Sequence, residues 1–161
     1  MFKVGEYVIY KHDLCKVKDI KEKYFNNTDY YILESNNDSS LTISVPSNNI
    51  LLRPLITKEE IDKLIARIPN IDIINNNSRM IENEYKKLLD SCSYDDLISI
   101  IKTTYLRNKE RLDNNKKIAE KDNYYFEKAE LILYSEFSMV LGLSFEETKK
   151  YVTDKIKEML K

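Results

Sequence analysis

The sequence is short of several residues on which functional motifs commonly depend. It has no tryptophan, two glycines, two cysteines and one histidine in 161 residues. With His12 as the sole histidine, neither a histidine-dependent catalytic triad nor a multi-histidine metal site can be built. Two glycines argue against the glycine-rich loops that cradle phosphates. The sequence therefore gives no support to an enzyme, and we expect no cofactor and no metal.

Long apolar runs and paired cysteines are also missing. The apolar stretches are a few residues long, whereas a membrane-spanning helix needs roughly 20. The first residues do not form the apolar segment of a signal peptide. Cys15 and Cys92 lie far apart without a C-x-x-C spacing, which favours two buried, inert thiols. We expect a soluble, cytoplasmic monomer without membrane contact.

The charge is almost balanced, with a net value of −1. Any DNA contact must therefore come from a local patch rather than from the whole surface. Residues 102–121 contain seven basic and three acidic side chains, an excess of +4, and Arg79, Lys86 and Lys87 precede them. If the two helices that carry these residues pack side by side, they form one phosphate-contacting face. The alternative is a solvated helix surface of mixed charge.

The first 55 residues have the pattern of a small, bent β-sheet or half-barrel. Short runs of β-branched and aromatic residues alternate with asparagine-rich turns at a spacing of roughly ten residues. In the last run Leu41, Ile43 and Val45 alternate with Thr42 and Ser44. This alternation predicts that the three apolar side chains are buried and that the two hydroxyl residues are exposed.

After Pro54 the pattern becomes helical. Thr57 and Glu60 form a capping box, and isoleucines and leucines then recur at helical spacing up to Pro69. Ser93 and Ser144 begin two further helices, and Gly142 ends a long one. We predict an α+β protein with a sheet domain at 1–55 and a bundle of about five helices at 56–161.

The order of features resembles the CarD/CdnL family of bacterial transcription regulators, whose N-terminal module also occurs in transcription-repair coupling factor. Residues 2–10, FKVGEYVIY, are close to the family's F-x-V-G-D-x-V-V-Y opening. Residues 30–33 are similar to its Y-Y-V-L strand and residues 41–46 to its M-T-I-x-V-P strand. Residues 50–54 resemble the strand that ends in the family's arginine, here Arg53. Ala129, Leu133 and Glu136 fit its late helical motif.

The resemblance implies a Tudor-like domain that docks on the β subunit of RNA polymerase, partly by extending a sheet edge. It also implies a helical domain that meets promoter DNA at the upstream fork of the bubble and modulates the stability of the open complex. A sheet with an unpaired edge suits strand addition. The resemblance places polymerase contacts on the second and fourth strands, at Lys23, Thr42 and Ser44.

The family's W-x-x-R motif falls on an asparagine-rich loop. Arg79 matches its arginine, so the wedge tryptophan is replaced by Asn76 or, with a shift of one residue, by Asn77. Asparagine can form hydrogen bonds in the minor groove but cannot replace the stacking area of a ring. An alternative is therefore a polymerase- or protein-binding adaptor that has lost most of the wedge activity. The predicted DNA-binding residues are Asn76, Asn77, Arg79, Lys86, Lys87, Lys102 and Arg107.

Overall fold

The computed structural model describes residues 1–75, 79–91 and 93–159. The chain divides into two compact units, Met1–Ile56 and Thr57–Lys161. The first contains a five-stranded open antiparallel sheet and the second contains five α-helices, so the predicted α+β class is confirmed. The two units are called the sheet unit and the helical unit below.

The turns of the first two hairpins in the sheet unit use residues with positive φ, Lys11 in the first and Asn26 with Asn27 in the second. The Asn26–Asn27 turn has φ values of 49° and 60°, as expected for a tight turn of two asparagines between antiparallel strands. The strands of the sheet are β1 (Tyr7–Tyr10), β2 (Asp13–Phe25), β3 (Thr28–Ser35), β4 (Thr42–Pro46) and β5 (Leu52–Arg53). They lie in the order β4-β3-β2-β1-β5, so β4 and β5 are the edges.

One face of the sheet carries the core. Phe2 packs on it, with its ring edge-on to Tyr31 at 5.7 Å between centroids, and its backbone N–H donates to the Tyr31 hydroxyl at 3.1 Å. Burial raises the pKa of the Cys15 thiol to about 11, which agrees with the predicted inert thiol. Cys92 lies outside the described residues. The buried core residues are Val8, Cys15, Val17, Tyr31, Leu33 and Val45.

The predicted burial pattern of β4 is wrong at two of three positions. Val45 is buried, but Leu41 is 58% exposed and Ile43 is 41% exposed. Ile43 pairs with Leu33, which is fully buried. Leu33 has a neighbouring strand on each side, whereas Ile43 has one only, because β4 is an edge strand. The alternation of apolar and polar residues therefore predicted which side chains share one face of the sheet, but not how deeply each of them is buried.

The helices begin and end close to the predicted signals. Thr57 and Glu60 form the predicted capping box, in which Thr57 Oγ1 accepts from the Glu60 N–H at 3.2 Å. Gly142 adopts φ 67° after the longest helix, as a left-handed C-cap requires. The helices are α1 (Lys58–Arg67, followed by a 3₁₀ turn at Ile68–Asn70), α2 (Ile81–Asp90), α3 (Tyr94–Asp113), α4 (Glu120–Leu141) and α5 (Phe145–Met159).

The long helices α3 and α4 form the centre of the helical unit. Each buries one apolar stripe, and α1, α2 and α5 pack against this pair of helices with isoleucine, leucine and tyrosine side chains. Ile61, Ile65, Tyr85, Ile100 and Phe137 are all at least 99% buried. No helix in the described part of the chain is long and apolar enough to cross a bilayer.

Candidate functional site

Two surfaces carry the residues selected from the sequence. The first is the outer edge of β4, which pairs with β3 on one side only. Thr42 and Ser44 lie on this strand, and both are exposed. Their side chains lie on one face of the sheet because they are two residues apart. We call the outward backbone of this strand, together with these two residues, the β4 edge.

The hydrogen-bond pattern shows which backbone groups of β4 point outward. The carbonyl of Leu41 accepts from the Ser35 N–H, and the Ser47 N–H donates to the Asp29 carbonyl. In an antiparallel pair, alternate residues bond to the partner strand, so odd-numbered residues of β4 face β3. The N–H and C=O groups of Thr42 and Ser44 therefore point away from the sheet. Pro46, the next outward residue, has no N–H to offer.

Lys23 lies in the same sheet but on a different strand. It is exposed near the end of β2, where the pairing with β3 is irregular, and its φ is 46°. Its N–H donates to Asp29 Oδ1 at 2.9 Å, a bond that holds this irregular backbone in place. The intervening strand β3 separates Lys23 from the β4 edge. Thr42 and Ser44 thus form one local group, and Lys23 lies apart from them.

The second surface is the basic region of the helical unit. Arg79 is exposed just before α2, and Lys86 and Lys87 are exposed on that helix. Lys86 Nζ lies 3.9 Å from Glu82 Oε1, and Lys121 Nζ lies 3.1 Å from the other oxygen of the same carboxylate. The hydrogen bond from Lys121 is the main cause that holds the pKa of Glu82 below its usual range. Glu82 therefore neutralises part of this surface.

Arg107 is held by a buried carboxylate. Its Nε donates to Asp122 Oδ2 at 2.9 Å, and the Tyr85 hydroxyl donates to Oδ1 of the same residue at 2.9 Å. The Asp122 side chain is only 3% exposed, so it needs both donors to compensate its lost hydration. Burial, with the Asp122 bond second, raises the pKa of Tyr85 well above its usual range. Arg107 thus links α3 to α4 within the protein.

Lys102 also serves a structural purpose. Its Nζ donates to the carbonyl of Ile68 at 2.8 Å and to that of Ile71 at 2.6 Å. Ile68 begins the 3₁₀ turn that follows α1, and Ile71 comes directly after it, so the lysine links the end of that helix to α3. Lys102 and Arg107 both bind acceptors within the protein, so they are poorer candidates for DNA contact than fully exposed cations.

The rest of the basic segment divides into bound and exposed cations. Arg111 Nε donates to the Lys117 carbonyl at 2.8 Å and so closes the loop between α3 and α4. Lys109, Lys116 and Lys117 are exposed. The excess of +4 counted for residues 102–121 is thus partly compensated, because some of these cations bind acceptors within the protein. Its exposed part lies at the end of α3 and in the following loop.

The asparagines proposed to occupy the wedge position, Asn76 and Asn77, lie outside the described residues. The segment before them is anchored to α3, since Thr103 Oγ1 accepts from the Ile74 N–H and Ser99 Oγ donates to the Asp72 carbonyl. Arg79 follows the two asparagines in the chain and lies just before α2.

The sequence reading missed the buried carboxylate that binds Arg107. A signal for it was present, because Asp122 precedes Tyr125 by three residues and Ala129 by seven on the buried stripe of α4. An acidic residue on an apolar stripe needs a buried donor, and a nearby arginine is the usual one. No comparable sequence signal pointed to the two carbonyls bound by Lys102.

The chain matches no protein-family model, and no curated protein is significantly similar to it. Among the described residues, no cluster of histidine, cysteine and carboxylate side chains could hold a metal ion. The two surfaces and the short sequence motifs are therefore the features of the protein that bear on its function.

Proposed function

We propose that the protein is a non-enzymatic transcription regulator that binds the β subunit of RNA polymerase through its sheet unit. Its helical unit contacts promoter DNA near the upstream edge of the bubble and so modulates the stability of the open complex. The observation that carries the proposal is the β4 edge. It presents the outward backbone of Thr42 and Ser44 on the strand that also bears the family-like T-I-x-V-P pattern.

An edge of this kind binds a partner by adding a strand. Backbone hydrogen bonds supply affinity, and side chains on the two faces supply specificity. Leu41 and Ile43 are exposed beside the hydroxyl residues, so an incoming strand would find apolar area as well as hydrogen-bonding groups. Lys23 adds a positive charge elsewhere on the same sheet.

The DNA contact is proposed for Arg79, Lys86 and Lys87. These residues are exposed around the start and along the length of α2. Cations of this number give a modest, salt-sensitive affinity. Such an affinity suffices when another contact already holds the DNA close, because tethering raises the effective concentration. Asn76 and Asn77 precede Arg79 by three and two residues and are proposed to lie at the DNA fork.

The proposal is tested by replacing one outward residue of the β4 edge. Proline at position 44 removes an N–H that does not bond to β3, so Ser44→Pro leaves the sheet folded. Binding to the purified β subunit, measured by pull-down and titration, is expected to fall about tenfold, because the lost backbone bond and the partner carbonyl left without a donor cost about 1–2 kcal/mol.

A matched proline controls for the substitution itself. Ser39 is the second residue of a turn in which the Leu41 N–H donates to the Asp38 carbonyl, a position that favours proline. Ser39→Pro is expected to bind the β subunit like the wild type. Polymerase binding is excluded if the folded wild-type protein retains no β subunit, and the β4 edge is excluded as its site if both variants bind equally.

A second candidate is an adaptor that keeps polymerase docking but lacks most of the DNA contact. The internal partners of Lys102 and Arg107 favour it, since they remove two cations from the predicted DNA face. The two candidates differ in salt dependence. A regulator that contacts DNA binds a forked promoter with an affinity that falls steeply as salt rises, whereas the adaptor shows no such binding.

A further inference from the structure

The end of α3 and the start of α4 form an open groove whose apolar lining belongs to neither predicted surface. Its volume is about 350 Å³, at the small end of protein ligand sites. The lining is mostly apolar, and it includes Tyr105, Leu112, Ile118 and Phe126. Tyr105 is 55% exposed, Leu112 57% and Ile118 42%. Large apolar side chains exposed together in this way are typical of an interaction site.

The spacing of these side chains fits an incoming helix. Tyr105 and Leu112 are seven residues apart on α3, so they lie on one face and about 10 Å apart along its axis. Apolar residues at positions i and i+7 of a second helix have the same separation. Ile118 belongs to the loop that follows α3 and lines the same groove. The groove therefore has room for two or three anchors from one amphipathic helix.

The charged residues that line the groove indicate which charge the incoming helix should carry. Lys109 lies between Tyr105 and Leu112 in the sequence and also lines the groove. No carboxylate lines the groove, although exposed residues of both signs, such as Lys117 and Glu120, flank Ile118 in the chain. An apolar floor whose lining holds one lysine and no carboxylate complements leucines flanked by acidic residues. Single-stranded nucleic acid is a poorer match, because the lining holds one cation for a chain of phosphates.

We propose that the groove between α3 and α4 is a docking site for an acidic amphipathic helix of a partner protein. Leucine-like anchors of that helix enter between Tyr105, Leu112 and Ile118, and a carboxylate beside those anchors meets Lys109. This site is distinct from the β4 edge and from the cations of α2, and its occupation does not depend on polymerase binding.

The test uses the full chain and a designed peptide of about 15 residues, long enough to form a helix on binding. The peptide carries leucines at helical positions i, i+4 and i+7, flanked by glutamates. Titration is expected to be saturable. Leu112→Ser and Lys109→Glu are each expected to weaken binding by at least about fivefold, as loss of an interface anchor does.

Matched controls distinguish binding at the groove from nonspecific binding to other exposed side chains. Leu131 is 45% exposed on α4 but does not line the groove, so Leu131→Ser is expected to bind the peptide like the wild type. Lys128→Glu provides the same control for charge. A peptide with lysines in place of glutamates is expected to bind at least about tenfold more weakly.

Three results would overturn the proposal. They are the absence of saturable binding to the acidic peptide, an equal loss of affinity in Leu112→Ser and Leu131→Ser, and displacement of the acidic peptide by an oligothymidine that binds more tightly. The last result would assign the groove to single-stranded nucleic acid. Because no polymerase is present in these titrations, their outcome is independent of the pull-down with the β subunit.

Discussion

The two units differ in whether the residues predicted to bind a partner are exposed or are bonded within the protein. In the sheet unit, Thr42 and Ser44 lie on an open edge with their backbone groups pointing outward. In the helical unit, Lys102 and Arg107 are bound by acceptors of the protein itself. A count of charges along a helix therefore overestimates the charge that the folded helix offers to a partner. An edge strand, by contrast, exposes the backbone hydrogen-bonding groups of its outward residues, except for the N–H that a proline lacks.

The largest expected effect tests the internal role of Arg107. Asp122→Ala removes the acceptor of both Arg107 and the Tyr85 hydroxyl and leaves a cavity at a nearly buried site. We expect a loss of about 2–3 kcal/mol in the free energy of unfolding, because charged hydrogen bonds are lost and a buried donor is left without an acceptor. Urea unfolding followed by circular dichroism measures it.

Asp113→Ala is the control, since this aspartate is exposed at the end of α3. Its removal is expected to change stability by less than about 0.5 kcal/mol. Equal effects of the two substitutions would mean that the Asp122 network does not stabilise the fold and that Arg107 remains available to DNA.

The next effect concerns Lys102. Lys102→Met keeps the apolar length of the side chain but removes the donor to the carbonyls of Ile68 and Ile71. A loss of about 1–2 kcal/mol is expected, with forked-promoter affinity unchanged in conditions where the variant is folded. A variant that is fully stable but binds DNA several-fold more weakly would restore Lys102 to the DNA surface.

A smaller effect is expected on DNA affinity. Lys87→Gln removes one exposed cation from α2, so the affinity for forked promoter DNA falls at low salt and the salt slope decreases by about one. Lys63→Gln, which removes an exposed cation from α1, is expected to leave both quantities unchanged. Identical slopes for the two variants would favour the adaptor over the DNA-binding regulator.

The smallest effect is a dependence of stability on pH. Burial raises the pKa of Glu130 above 4.5, while Lys149, whose Nζ lies 3.4 Å away, opposes the shift, and Glu146 and Glu127 add to it. The folded state therefore holds this proton more tightly than the unfolded state. Its contribution to stability is present below pH 4.5 and is lost as pH rises through the raised pKa.

Glu130→Gln removes this titration. The stability of the variant relative to wild type is expected to increase as pH rises from 4.5, as measured by thermal unfolding at a series of pH values. Glu110→Gln, at an exposed position of α3 that is not among the charges acting on Glu130, is expected to show no such trend. A relative stability of Glu130→Gln that is flat with pH would contradict the assignment.

Local signals in the sequence predicted most of the fold. The capping residues Thr57, Ser93 and Ser144 each accept the expected backbone N–H, and Gly142 supplies the left-handed C-cap. These features depend on residues within one turn of each other, so the sequence is sufficient to locate them. Both the class and the number of helices were predicted for this reason.

The sites were less predictable because they depend on contacts between distant segments. Lys102 meets Ile68 and Ile71, which lie more than 30 residues away in the chain. The exposure of Ile43 depends on β4 being an edge, which alternation alone does not reveal. The groove around Leu112 and Ile118 exists because two helices meet at a loop, and no motif marks such a place.

Pro46 has a consequence for self-association. An exposed strand edge is a template with which the edge of another copy can pair, and long, flat edges aggregate through repeated pairing of this kind. Here the outward side of β4 offers two N–H groups and then proline, preceded by the tight turn that begins at Asp38. An edge this short accommodates one brief partner strand. It gives a growing aggregate too few hydrogen bonds for each added copy.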